Sequence, residues 1–270
     1  MRLQTISLFA LGAVACSYAQ ISFAGGTYSQ NFDSLHTFET NTPWTDNSTL
    51  PGWYLRKVDD PDLELPDQYN PGNGSDNTGA VYCFGTDAED SALGSIGTGF
   101  LEHATYGVRL TNTSGQLINS VSITYTGEQW RDGGNNTPLQ HKLLFSYNVG
   151  GSTIGADTQS IGGPAGYGAD PTFTRVSALD FTSPTAISTN TGYALDGNDP
   201  ANRTVISGSF SVVWAPGQDL WVRWVDLNDI GMDHGLAIDD FSLTATPVPE
   251  PGTLAALALG AVAFARRRNR

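Results

Sequence analysis

Cysteine is almost missing from this chain: Cys16 and Cys83 are the two in 270 residues. Cys16 lies in an N-terminal segment that reads as a removable leader. Cys83 then stands alone, and no intrachain disulfide can staple the mature protein. Its setting, Ala80-Val81-Tyr82-Cys83-Phe84, is that of a small buried hydrophobe rather than a nucleophile. Apolar stretches are short as well. The uncharged C-terminal run Thr253–Ala265 has thirteen residues, against roughly 20 for a membrane span. No apolar stripe of helical period runs through the body, which argues against a helical fold. Positive charge is scarce: 13 Lys and Arg stand against 27 Asp and Glu. Setting aside Arg2, the four C-terminal arginines and Glu250 leaves 8 against 26, a net charge near −18. Such a surface repels nucleic acid and favours divalent cations. Familiar catalytic motifs are missing too. There is no Gly-x-Ser-x-Gly elbow, no His-Glu-x-x-His and no phosphate-binding glycine loop. The four histidines, His36, His103, His141 and His234, lie far apart and show no metal-ligand spacing.

What is present begins with a leader. Met1-Arg2, the apolar run Ile6–Ala15 and the small residues of Ser17-Tyr18-Ala19 read as a secretory signal peptide, residues 1–19. The following 225 residues, 20–244, suffice for one large β domain. Gly and Asn-Gly clusters break the chain about every ten residues, and Thr, Ser, Val, Tyr and Phe are abundant. Ser120–Tyr125 alternates cleanly between apolar and hydroxyl residues. Further strands are expected at Tyr28–Phe32, Trp53–Arg56, Gly79–Phe84, Tyr106–Thr111, Lys142–Tyr147, Arg175–Phe181, Thr204–Val213, Leu220–Val225 and Leu236–Thr244. About ten strands around one core predict an all-β fold. Two antiparallel sheets would form a jelly-roll-like sandwich, followed by a C-terminal apolar helix. Residues 59–77 and 150–171 read as long polar loops. Residues 245–252 read as a proline-rich linker.

Carboxylates gather in loops near strand ends, and hard oxygen ligands of this kind suit calcium. Asp226-Leu227-Asn228 starts like an EF-hand loop, but Ile230 occupies the fifth position and no glutamate closes it. Better motivated is a pairing of first and last strands, which would bring Asp33 towards Asp239 or Asp240. A calcium ion between them would remove their repulsion. Alternation sends Asp239 and Asp240 to opposite faces, so one of them would face inward. This arrangement resembles secreted carbohydrate-binding jelly rolls that hold a structural calcium. Arg-Trp pairs occur in Gly127–Arg131 and Leu220–Asp226, where Glu128 could pair with Arg223, or Arg131 with Asp226. Trp130 and Trp224 read as core residues, and Trp221 and Arg223 share the opposite face from Trp224. The loop aromatics Trp44, Tyr69 and Tyr167 are the candidate platforms for a sugar ring. A glycan-active hydrolase or lyase would need two carboxylates roughly 5–9 Å apart, and Glu128 with Asp226 is the candidate pair.

The end of the chain carries the most specific signal. Pro249-Glu250-Pro251, the apolar run 253–265 and the basic tail 266–270, with Arg266, Arg267, Arg268 and Arg270, resemble a PEP-CTERM sorting signal. The resemblance covers the last 23 residues. It implies export by a bacterium that also makes exopolysaccharide, with an exosortase-type membrane protease reading the Pro-Glu-Pro peptide as partner. The arginines would stop in the cytoplasm and hold the body outside. The body, through "YTGEQWR" and "LWVRWVDLNDIGMDHGLAIDDFSL", is similar to a recurrent exported domain without assigned activity. Three roles are compatible with these features. The first is a non-enzymatic surface or matrix protein that binds exopolysaccharide. The others are a glycan-active enzyme and a matrix protein rigidified by calcium.

Overall fold

The computed structural model describes residues 20–59, 68–86, 90–155 and 170–248. The leader, Tyr167, the Pro249–Pro251 peptide, the apolar run 253–265 and the terminal arginines lie outside these residues. Among the described residues no helix is long and apolar enough to cross a membrane.

Sixteen strands form among the described residues. They are β1 (Ile21–Phe23), β2 (Gly26–Gln30), β3 (Thr42–Pro43), β4 (Trp53–Asp59), β5 (Gln68–Gly72), β6 (Ala80–Phe84), β7 (Ala92–Ile96) and β8 (Leu101–Asn112), then β9 (Ile118–Asp132), β10 (Lys142–Val149), β11 (Thr174–Arg175), β12 (Phe181–Thr182), β13 (Tyr193–Ala194), β14 (Arg203–Trp214), β15 (Asp219–Leu227) and β16 (Gly235–Ala245). One sheet runs β1-β8-β15-β10-β11, with β4 also on β8 and β12 on β10. The other runs β13-β9-β16-β7-β6-β5-β3, with β14 also on β9 and β2 on β16. Pairing is antiparallel except for β1 on β8 and β5 on β6. The expected pairing of first and last strands is present: β2 joins β16 through Gln30 and Phe241.

Alternation explains which residues the two sheets share. In β15, Leu220, Val222 and Trp224 enter the common core, while Trp221 joins Ile154 and Phe173 on the outer face. In β16 the parity changes partway. Leu236 and Ile238 face the core, and so do Phe241, Leu243 and Ala245. A register shift between Asp239 and Ser242 inserts the extra residue that this requires, with Asp240 in the left-handed region at φ 48°. Without the bulge, one half of the strand would turn its apolar residues outward.

At the centre Trp53 stacks on Trp224 at 6.3 Å, and Phe241 meets both rings edge-on. The Trp53 indole donates to the Tyr28 hydroxyl at 2.9 Å, so its polar edge is satisfied inside the core. A second apolar layer covers the outer face of the nine-stranded sheet, where Tyr82, Phe84 and Trp130 stack in a row. Cys83 is buried and free, and burial pushes its thiol up to about 11, as suits a small hydrophobe.

Three expectations need correction. The run 175–181 is not one strand but β11, a 3-10 turn at Ser177–Leu179 and β12. Asp180 imposes the turn by accepting the Phe145 N–H at 2.9 Å and pairing with Arg175 at 2.7 Å. Part of the loop 59–77 is structured as β5, which pairs with β6. The linker expected from residue 245 starts later: Ala245 still belongs to β16, and Val248 donates its N–H to Leu117 at 2.8 Å.

Candidate functional site

β16 gives the sandwich two distinct ends. Ten steps of roughly 3.3 Å separate Gly235 from Ala245 by about 33 Å. Ala245 lies at the end from which Val248 and the tail depart. Gly235 lies at the other end, among the loops 133–141, 183–192 and 226–234.

That tail-distal end closes the core with polar groups. Asp226 continues the inward face of β15, is 3% exposed, and accepts the Ser95 hydroxyl at 2.6 Å. Burial holds its carboxyl well above the usual range, with Asp233 and Asp229 adding to the rise. Gln129 continues the inward face of β9. Its amide exchanges bonds with the Thr185 backbone at 2.8 and 2.9 Å and donates to His234 Nδ1 at 2.9 Å. His234 stacks on His141, with ring centroids 4.3 Å apart. The fold thus joins two histidines that are 93 positions apart in the sequence.

The loop after β15 is built to aim carboxylates at this stack. The Asp229 N–H donates to Asp233 Oδ1 at 2.8 Å and closes a tight turn. Asn135 clamps the turn from the facing loop: it donates to the Met232 carbonyl at 2.9 Å and accepts the Met232 N–H at 2.7 Å. His141 Nδ1 then lies 3.6 Å from Asp233 Oδ1 and 3.7 Å from Asp229 Oδ2. Burial and the neighbouring His234 depress the His141 pKa to about 3, so the ring is neutral. Burial lifts Asp233 to about 7 and Asp229 to about 6. Among the described residues, this is the one group of three or more His, Cys, Asp or Glu side chains close enough to share a metal ion.

Beside it a recess of about 210 Å³ opens between the loops. Asn77, Arg131, Asn228 and Asp233 give it hydrogen-bonding walls, and Gly97 and Gly99 keep one side low. Arg131 is held in place by donating to the Gly74 carbonyl at 2.9 Å. Phe100, Ile230 and Met232, all more than half exposed, stand on the same loops. A pocket of this kind suits a polar ligand with some apolar surface.

The sequence-derived candidates fall elsewhere. Asp33 and Asp239 both lie near Cys83, whose thiol their charges push up further, while Asp240 is exposed. Asp33 is spent on the Ser91 N–H at 3.1 Å and on the Asn31 amide. Asp239 is buried, and Asp240 is turned out to solvent by the bulge. Trp44 and Tyr69 are no open platform either: both are buried and meet edge-on at 6.1 Å. Glu128 and Asp226 are not brought to one face. Glu128 sits on the outer face of the nine-stranded sheet, bonded to the Trp130 indole at 2.9 Å, whereas Asp226 lies between the sheets. The proposed charge pairs also do not form. Arg223 lies 3.6 Å over the Phe173 ring and donates to Ser146 Oγ at 3.1 Å and to the Ile154 carbonyl at 2.9 Å. The loop acids Asp196 and Asp199 close their own turns onto the N–H groups of Asn198 and Ala201.

The tail-proximal end has a different character. Pro247 packs near Gly25, and Val248 is tied to Leu117, so the chain leaves the sandwich at a defined point. A profile described as "PEP-CTERM protein-sorting motif" matches residues 247–270, which start at that point. The chain carries a PEP-CTERM protein-sorting motif. This motif implies export, C-terminal anchoring before processing and recognition by an exosortase in the membrane. No curated protein matches the chain. Solved structures similar to it include the CBM22-1 xylan-binding domain of Paenibacillus barcinonensis Xyn10C. That match has 10% identity and a TM-score of 0.35, over 86% of this chain and 99% of that one. An arabinose-bound MgGH51 α-L-arabinofuranosidase matches at 11% identity and a TM-score of 0.33, over 84% of this chain and 29% of that one. The enzymatically active domain of bacteriophage CBA120 tailspike protein 4 matches at 9% identity and 0.33, over 72% and 19%.

Proposed function

We propose that this chain is a non-enzymatic envelope or matrix protein that an exosortase anchors transiently through the tail and then processes. Its tail-distal end binds exopolysaccharide. The observation that carries this reading is the opposition of the two ends: the sorting motif starts at one, and the polar recess opens at the other, with about 33 Å of β16 between them. While the tail holds the protein at the membrane, that end faces outward. The apolar run 253–265 serves as a short-lived anchor, and Arg266, Arg267, Arg268 and Arg270 keep the terminus inside. Asn77 and Asn228 supply donors and acceptors matched to sugar hydroxyls, and Arg131 and Asp233 add charge-assisted bonds to them.

The test is co-sedimentation of the exported protein with exopolysaccharide from the producing cells. Wild type is expected to co-sediment, and the double variant Asn77→Ala/Asn228→Ala to stay in solution. Absence of wild-type binding, or equal binding by the double variant, would overturn the assignment.

A further inference from the structure

We propose that His141, Asp229 and Asp233 form a binding site for a first-row divalent cation of the zinc class, and that the cation locks the 228–234 turn against His141. The case starts from hydrogen-bond accounting. Three lone-pair donors, His141 Nδ1, Asp229 Oδ2 and Asp233 Oδ1, meet at one place. The donors that reach them are backbone N–H groups: His234 to Nδ1 at 3.2 Å, a bond that the ion would displace, Asp229 to Asp233 Oδ1 at 2.8 Å, and Lys142 to Asp229. Lys142 stands near enough to Asp229 for its charge to lower the carboxyl's pKa but forms no ion pair with it, while Asp226 places a further carboxyl behind them. Such a convergence is costly without a cation between the groups.

A second observation concerns the ring itself. His141 is 4% exposed and turns its Nδ1 edge to the two carboxylates, while Nε2, on the other side of the ring, has no hydrogen-bond partner among the described residues. A buried imidazole is normally oriented by a bond at each nitrogen, or by a metal at one of them. Here only one backbone N–H holds it.

Spacing selects the class of ion. Ligand atoms around a tetrahedral ion with bonds of about 2.0–2.1 Å lie about 3.3 Å apart. The His–Asp separations of 3.6 and 3.7 Å need only a small contraction to reach that value. Calcium and magnesium take oxygen ligands, whereas a nitrogen with two carboxylates suits zinc or a neighbouring transition ion. Asp229 is the most exposed of the three ligands, at 36%, and gives the ion a way in.

The experiment uses the exported protein stripped with a chelator, then titrated with Zn²⁺ in a calorimeter and with Co²⁺ in a spectrophotometer. We expect one Zn²⁺ per chain, a rise in Tm that Ca²⁺ and Mg²⁺ do not reproduce, and a visible ligand-field band with Co²⁺. Asp229→Asn is half-exposed and should leave the fold intact, which circular dichroism verifies. It is expected to weaken Zn²⁺ binding by more than the roughly 10–100-fold that loss of an outer-shell partner costs. His141→Gln serves as the second variant, with the same expected loss. Lack of Zn²⁺ binding by wild type, or folded variants that bind as tightly as wild type, overturns the site. So does a Ca²⁺ response equal to that of Zn²⁺. Polysaccharide binding is read separately, so either proposal can fail alone.

Discussion

Replacing Glu128 with glutamine isolates the cost of a carboxylate buried on the outer face of the nine-stranded sheet. Glu128 is 1% exposed. Its Oε2 accepts the Trp130 indole N–H at 2.9 Å, and its Oε1 has no partner among the described residues. Asp90, Asp239 and Asp240 lie around it, and the exposed Arg203 of β14 opposes them. Burial is the main reason that its pKa rises from 4.5 to about 8. Asp239 is pushed up to about 9, again by burial first. Below pH 4 the carboxyl is protonated in both the folded and the unfolded chain. As pH rises past 4.5 the unfolded chain releases its proton, while the folded protein keeps it until about 8. Stability therefore falls across that window. At about 1.4 kcal/mol per unit, the interval has a ceiling on the order of 5 kcal/mol, which relaxation and water entry reduce. Glutamine keeps the shape and never ionises. At pH 9 the variant is expected to exceed wild type by about 1–3 kcal/mol, and at pH 4 the two should agree within about 0.5 kcal/mol. Urea unfolding followed by tryptophan fluorescence at several pH values measures this. An offset that is constant with pH, or a variant weaker than wild type at pH 9, would refute the reasoning.

Three further outcomes are expected. Changing Pro249, Glu250 and Pro251 together to alanine should leave the protein in the membrane fraction at its unprocessed mass. Release at the wild-type rate would show that processing does not read this peptide. Trp53→Ala removes the ring that touches Phe32, Trp224 and Phe241 and strands the Tyr28 hydroxyl. It should cost about 3–5 kcal/mol in a denaturant titration. Gly74→Ala places a Cβ against the Trp130 carbonyl at a φ of 81°. It should lose more than about 1 kcal/mol by the same measurement, because neither the backbone clash nor the dihedral relaxes cheaply.

Most strands were legible because alternation and turn residues are local signals. Lys142–Tyr147, Thr204–Val213 and Leu236–Thr244 lie within β10, β14 and β16. β7 escaped because Ala92-Leu93-Gly94-Ser95-Ile96 is buried on both faces and shows no alternation. β5, with Pro71 and Gly72, looks like a turn and is a strand because β6 and β3 lie beside it. The opposite orientations of Asp239 and Asp240 could be anticipated, but not the bulge that holds Asp240 in the left-handed region. The aromatic residues misled for a related reason. Trp44 and Tyr69 occupy polar, loop-like sequence, yet Tyr69 lies in β5 and both rings join the main core. His141 and His234 carried no spacing signal, since only the antiparallel return of β10 beside β15 brings the two loops together. The remaining sequence cue was the pair Asp233-His234 inside a carboxylate-rich run.

The two ends of the molecule are joined by β16 and, antiparallel beside it over the same length, β9. β16 begins at Gly235, next to His234, and ends at Ala245, three residues before the bridge at Val248. It is flanked by β9 on one side and by β7 and then β2 on the other. A ligand held at the tail-distal end and an anchor at the tail would therefore load β16 along its own axis. Antiparallel ladder bonds run perpendicular to the strand, so such a load shears both flanking ladders at once instead of opening them one bond at a time. The bulge at Asp239–Ser242 interrupts the ladder to β9, and at that level β16 changes its other neighbour from β7 to β2. Stretching β16 would therefore act first at Asp240, already held at φ 48°, between the tail-distal end and the end that leads to the sorting motif.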